Sequence, residues 1–136
     1  MSIAPTVNQL RATKPVKFLP LVTNGRISKV YDGDSYHLAC YLAKGGPLYY
    51  FPLRLRGIDT PELRTKSENE KKMAIAARDY AKELVFEKEV EIKEVEREKY
   101  GRLLCDVYIE GKSLCDLLIS AGHGRPYSGG TRGSWD

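Results

Sequence analysis

The sequence predicts a mainly β fold with helices (α+β): a five-stranded OB-fold barrel, with one helix inserted between strands 3 and 4 and a second short helix after strand 5. Three observations carry this. Short segments place apolar residues at every second position, one long stretch carries helical spacing instead, and turn residues separate them at short intervals. At 136 residues the chain has the length of a single domain.

The elements follow in order. Residues 1–24 read as a basic, irregular N-terminal extension with Pro5, Pro15 and Pro20, closed by an Asn24-Gly25 turn; residues 25–136 form the folded domain. A first strand is expected over about 26–31, turned by Asp32-Gly33-Asp34. Residues 35–42 alternate, with Tyr36, Leu38, Cys40 and Leu42 on the buried face. Lys44-Gly45-Gly46-Pro47 is a hairpin loop. A third strand runs over about 48–56, with Leu53 and Leu55 inward and Arg54 and Arg56 on the opposite face. Ser67-x-x-Glu70 has the form of a capping box and opens a helix over about 68–86. Met73, Ala77, Tyr80 and Leu84 are its expected core stripe. Val90 and Ile92 mark strand 4. Leu103, Cys105, Val107 and Ile109 alternate as strand 5, after a Lys99-Tyr100-Gly101 turn. A short helix over 113–121 follows, burying Leu114, Leu117 and Leu118 and stopping at Gly122. The remaining HGRPYSGGTRGSWD is glycine-rich and irregular, and Trp135 is expected to tuck against the barrel.

Composition narrows the function. No apolar run approaches the roughly 20 residues of a membrane span, so a transmembrane helix is ruled out and no membrane partner is expected. The N-terminus lacks the uninterrupted apolar run of a secretory signal, which by default places the chain in the cytoplasm, or outside it if a leader has been removed. Three cysteines, Cys40, Cys105 and Cys115, make neither a disulfide framework nor a C-x-x-C zinc pair. Net charge is +4, yet the first thirty residues hold five basic side chains (Arg11, Lys14, Lys17, Arg26 and Lys29) and no acid. The positive charge is therefore local, suited to attracting a polyanion in a salt-sensitive way or to solvating a leader. No oligomerisation motif is visible, and a monomer is expected.

Three clusters carry chemistry. Tyr31-Asp32-Gly33-Asp34-Ser35 places carboxylates on a tight turn. Arg54-Leu55-Arg56-Gly57-Ile58-Asp59-Thr60-Pro61-Glu62 runs arginines into an acidic turn. Lys99-Tyr100-Gly101-Arg102 is a basic turn entering a strand. Asp34 and Asp59 are hard oxygen donors without His or Cys at ligand spacing, which favours Ca²⁺, Mg²⁺ or Mn²⁺ over zinc. Arg54 and Arg102 are forks suited to phosphate. Glu62 is placed to activate a water as general base. Taken singly, each cluster also reads as an ordinary turn or hairpin. His37 and His123 have no partner at ligand spacing and read as structural.

Together and in this order, the clusters resemble the staphylococcal nuclease (thermonuclease-like) family over about residues 26–127. The resemblance rests on Asp32-Gly33-Asp34, on Arg54 through Glu62, on the inserted helix and on Lys99-Tyr100-Gly101-Arg102. It implies a five-stranded OB barrel and a Ca²⁺-dependent nuclease that cuts DNA and RNA, single-stranded or frayed, with little sequence preference and leaves 3′-phosphate ends. Position by position, it implies that Asp34, Asp59 and the Thr60 carbonyl hold Ca²⁺. Arg54 and Arg102 hold the phosphate and stabilise the transition state, and Glu62 is the base. Lys99 and Tyr100 lie along the nucleotide, and Tyr127 contacts or stacks on it. Arg54 is preferred to Arg56 because it stands five positions before Asp59. The competing reading is an OB module that binds single strands without cutting them; retention of the acids separates the two.

Overall fold

The computed structural model describes residues 3–135. Its strands are β1 (Asn24–Asp32), β2 (Ser35–Tyr41), β3 (Leu48–Leu55), β4 (Ile58–Asp59), β5 (Glu89–Arg97), β6 (Leu103–Ile109), β7 (Lys112–Ser113) and β8 (Arg125–Pro126). Its helices are α1 (Val7–Ala12), α2 (Glu68–Val85) and α3 (Leu114–Ser120). The main sheet runs β3-β2-β1-β5-β6-β7, and a parallel pairing of β3 with β6 closes it into a five-stranded mixed barrel. The expected barrel, with α2 between the third and fourth long strands and α3 after the fifth, is the one observed.

Alternation drives the closure. Tyr36, Leu38 and Cys40 point inward from β2, Leu53 and Leu55 from β3, Val90 and Ile92 from β5, and Leu103, Cys105, Val107 and Ile109 from β6. Each such side chain removed from water contributes about 1.5–3 kcal/mol before entropy is counted. The β2–β3 register, from Ser35 opposite Arg54 to Tyr41 opposite Leu48, is unbroken. Ser67 caps α2 by accepting the Glu70 amide. α3 covers one end of the barrel with Leu114 and Leu118.

Several details differ from expectation. The leader is not wholly irregular: Thr6 and Gln9 cap each other reciprocally and start α1, although all its side chains are exposed. Pro20 and Val22 are buried, and the Phe18 carbonyl accepts from Arg97. Asn24-Gly25 is not a turn but the start of β1, paired with β5. The buried stripe of α2 is Ala74, Ala77, Ala81 and Val85; Met73, Tyr80 and Leu84 flank it, half-buried. Small residues win the interior because the helix lies close against β1. In α3, Leu117 is only half-buried. The C-terminal run contributes β8, which pairs with β4. Among the described residues the cysteines are free, Cys40 and Cys105 buried and Cys115 half-buried.

Candidate active site

The Asp32-Gly33-Asp34 turn between β1 and β2 is held from below and from the side. The Tyr36 hydroxyl, fully buried, donates to the Gly33 carbonyl. The Leu55 amide donates to the Asp34 carbonyl at 2.9 Å. Gly33 has no side chain for a steric reason: a Cβ there would stand 2.9 Å from Thr60 Cγ2. This close approach sets the first acidic turn directly against the second.

The second turn follows β3. Asp59 and Thr60 are buried, at 2 and 1 per cent exposure. β8 packs over them. Gly124 permits this, because a Cβ would lie 2.4 Å from Ile58 Cδ1. Glu62, by contrast, keeps 48 per cent of its side chain exposed. Glu70, from the first turn of α2, accepts the Glu62 amide at 2.9 Å and the Thr65 hydroxyl at 3.2 Å. The carboxylate expected to cap α2 thus ties the Glu62 loop to the helix.

A cleft of about 1070 Å³ opens between these turns and the 98–102 hairpin. Seven of the nine expected site residues line it: Asp34, Arg54, Glu62, Lys99, Tyr100, Arg102 and Tyr127. Asp59 and Thr60 do not; they lie beneath Arg132, which does. Arg54 donates to the Leu55 and Ile58 carbonyls at 2.6 and 3.0 Å and approaches Asp34 at 3.3 Å. Arg102 forks onto both oxygens of Glu98 at 3.2 Å and reaches the Ser35 hydroxyl. Both guanidiniums are thus aimed by fixed acceptors. Tyr100 is exposed beside Lys99. Tyr127 donates its hydroxyl to Gly130, bracing the tail. Arg56 is drawn aside by Glu96 and Asp106 and by the Glu94 carbonyl, so its partners are structural.

Sequence reasoning missed the tail arginines. Arg132 donates to Asp59 Oδ1 at 2.7 Å and to the Thr60 carbonyl at 3.1 Å, and stands 3.2 Å from Glu62 and 3.6 Å from Glu70. Arg125 takes Asp59 Oδ2 at 3.0 Å, donates to the Gly133 and Ser134 carbonyls, and covers the Trp135 ring at 3.9 Å. Trp135 was expected against the barrel; its contacts are with Arg125 of β8 and with Asn69 of α2, which donates to its carbonyl. No local signal marks an arginine in a glycine-rich run as a partner of an acid 73 residues away.

Charge is concentrated here. Asp32 is pushed up to about 7, first by burial and then by the hydrogen bond and charge of Asp34. Burial of Arg132 opposes its charge, but the hydrogen bond and charge of Asp59, with Glu62 and Glu70, hold it above its usual value. Burial alone raises Glu98; the hydrogen bonds and charge of Arg102 and the amides of Arg102 and Tyr100 outweigh it and bring the carboxyl below its usual range.

The donor set fits a hard cation. Asp34, Asp59 and the Thr60 carbonyl are all oxygen donors, the ligand type that Ca²⁺ and Mg²⁺ prefer. Among the described residues, however, no three His, Cys, Asp or Glu side chains converge on one point, so backbone, water and substrate oxygens would have to complete the shell. No helix among the described residues is long and apolar enough to cross a membrane.

The family model for the staphylococcal nuclease homologue matches residues 52–132, more than half of the chain. The matched stretch includes Arg54, Asp59, Thr60, Glu62, the 99–102 turn, Tyr127 and Arg132. The chain belongs to the staphylococcal nuclease homologue family.

Proposed function

We propose that this protein is a Ca²⁺-dependent nuclease that hydrolyses phosphodiester bonds in DNA and RNA. The observation that carries the reading is the convergence of two fixed arginines and one exposed carboxylate on a single cleft: Arg54, Arg102 and Glu62. A structural ion-pair network has no need of an acid left half open to solvent beside two arginines that line the same cavity.

The phosphate enters between Arg54 and Arg102, each of which spends part of its donor set on protein acceptors and offers the rest. Their positive charge stabilises the phosphorane-like transition state, and because both are already held, little reorganisation is needed. Glu62 accepts the proton of a water that attacks phosphorus in line with the 5′ oxygen. The P–O5′ bond breaks, the 5′ oxygen is protonated from solvent, and the 3′ end keeps its phosphate. Lys99 and Tyr100 lie along the nucleotide, and Tyr127 contacts or stacks on it. Ca²⁺, held by Asp34, Asp59 and the Thr60 carbonyl, supplies charge neutralisation and Lewis-acid polarisation of the phosphate when bound. The substrate is single-stranded or frayed, the acting species is a monomer, and the basic leader of residues 1–24 adds salt-sensitive affinity.

The test is cleavage of single-stranded and duplex DNA in Ca²⁺, against a chelator control and Glu62→Gln. Cleavage is expected to need Ca²⁺, and the variant to lose at least about a hundredfold in rate with oligonucleotide binding retained. A variant as fast as the parent removes Glu62 from the role. Salt-sensitive binding without cleavage under any metal favours the binding-module reading.

A further inference from the structure

The outer face of the β1–β3 ribbon carries a second feature. Residues paired across β2 and β3 form rows on that face: Ser35 with Arg54, His37 with Pro52, Ala39 with Tyr50, and Tyr41 with Leu48. Alternation keeps every row on one side, the side from which Arg54 meets the cleft. Lys29 of β1 stands beside His37.

The rings on this face are in mutual contact. Lys29 lies 4.6 Å from the Tyr31 ring centre. Tyr31 meets His37 edge-on at 4.9 Å, and its hydroxyl lies 3.1 Å from His37 Nε2. His37 stacks on Tyr50 at 5.0 Å with planes 29° apart. Cross-strand packing alone does not account for the exposure that remains: 43 per cent for Tyr31, 66 per cent for Tyr50 and 63 per cent for Tyr41. Five of the chain's nine tyrosines lie between residues 31 and 50, and no acid occurs from residue 35 to residue 58. Contiguous exposed aromatic surface of this kind marks a binding face.

We propose that this face binds single-stranded nucleic acid, its bases stacking along the Tyr31–His37–Tyr50 ladder as the strand leaves the cleft. The inference rests on the nuclease reading and extends its substrate from one dinucleotide step to a longer strand. Continuity supports it, since Tyr31 lines the cleft as well as opening the ladder. Two rows separate Arg54 from Tyr50, about 13 Å at the pitch of a strand. Charge supports it, since Arg26, in register with Ala39 of the Tyr50 row, and Lys29, beside His37, are basic and suit a phosphate backbone. Stacking requires unpaired bases, which selects single strands over duplex. Burial and the Lys29 ammonium together hold His37 below its usual range, so its ring is an uncharged stacking surface at neutral pH.

The experiment compares a 12-nucleotide oligothymidylate with a thymidine dinucleotide substrate in Ca²⁺, for the parent, Tyr50→Ala and Tyr50→Phe. Loss of one stacking ring is expected to raise KM for the 12-mer about fivefold or more. Dinucleotide turnover stays at the parental value, and Tyr50→Phe behaves as the parent. In parallel, the ring resonances of His37 in the unaltered protein are expected to shift with the 12-mer and not with the dinucleotide, a readout independent of any variant. Equal effects on both lengths, no effect on either, or an unmoved His37 overturns the proposal. So does sedimentation showing a dimer that Tyr50→Ala dissociates, which assigns the face to a second copy of the chain. Cleavage without length dependence removes this surface alone, whereas absence of both binding and cleavage removes the nuclease reading with it.

Discussion

Replacing Arg132 by Gln is expected to tighten Ca²⁺ binding. Its guanidinium sits on two of the three oxygens proposed as ligands, Asp59 Oδ1 at 2.7 Å and the Thr60 carbonyl at 3.1 Å. A cation can use them only after Arg132 withdraws. Hydrogen bonds to charged groups are worth about 1.5–3 kcal/mol. The guanidinium is about one third exposed and Asp59 keeps Arg125 in either case, so the lower end applies. Removing about 1.5 kcal/mol of competition corresponds to roughly tenfold tighter binding. The same loss destabilises the metal-free protein, lowering its Tm by about 4 °C, and Ca²⁺ raises the variant's Tm by more than the parent's. Calorimetric titration and thermal melts with and without Ca²⁺ measure both. A folded variant that binds Ca²⁺ no better than the parent refutes the competition: Arg132 is then a support for the ligand turn rather than an occupant of its place.

Two further outcomes are expected. Deleting residues 1–19, which spares the buried Pro20 and Val22, removes Arg11, Lys14 and Lys17 and flattens the slope of log K against log salt by about 2 for a single strand; fluorescence anisotropy at several salt concentrations measures it. Glu98 has a folded pKa below its unfolded value, so its pairing with Arg102 stabilises fully above about pH 4.5 and is lost as pH falls through the lower, folded value; melts from pH 6 to pH 3 are expected to show a shallower acid decline in Glu98→Gln than in the parent.

The barrel was legible because its strands alternate and its turns carry Gly, and the inserted helix because Ser67 caps it. The cleft residues were legible because each lies inside a short motif on a strand end or turn. The rest is long-range. The reading of α2 chose Met73 and Tyr80 over Ala74 and Ala81, since apolarity ranks large residues first while the space between helix and sheet admits only small ones. Glu70 was read as a cap, but its carboxylate also serves the loop at Glu62 and Thr65. α1 was missed because Thr6 and Gln9 head a six-residue helix with no buried face. Arg125 and Arg132 reach Asp59 only through a chain reversal that no local pattern announces.

Closure of the barrel rests on a short parallel seam, in which Leu53, Arg54 and Leu55 pair with Leu103, Leu104 and Cys105. Arg54 occupies the middle of it. Contacts between segments this distant in sequence form late, because their loop entropy must be overcome before they reward the chain. The arginine proposed to grip the phosphate is therefore delivered to its place by the same event that completes the fold. On the proposed nuclease reading, forms whose seam is not yet joined lack the placed arginine, and recovery of cleavage during refolding is expected to report the closing of the barrel.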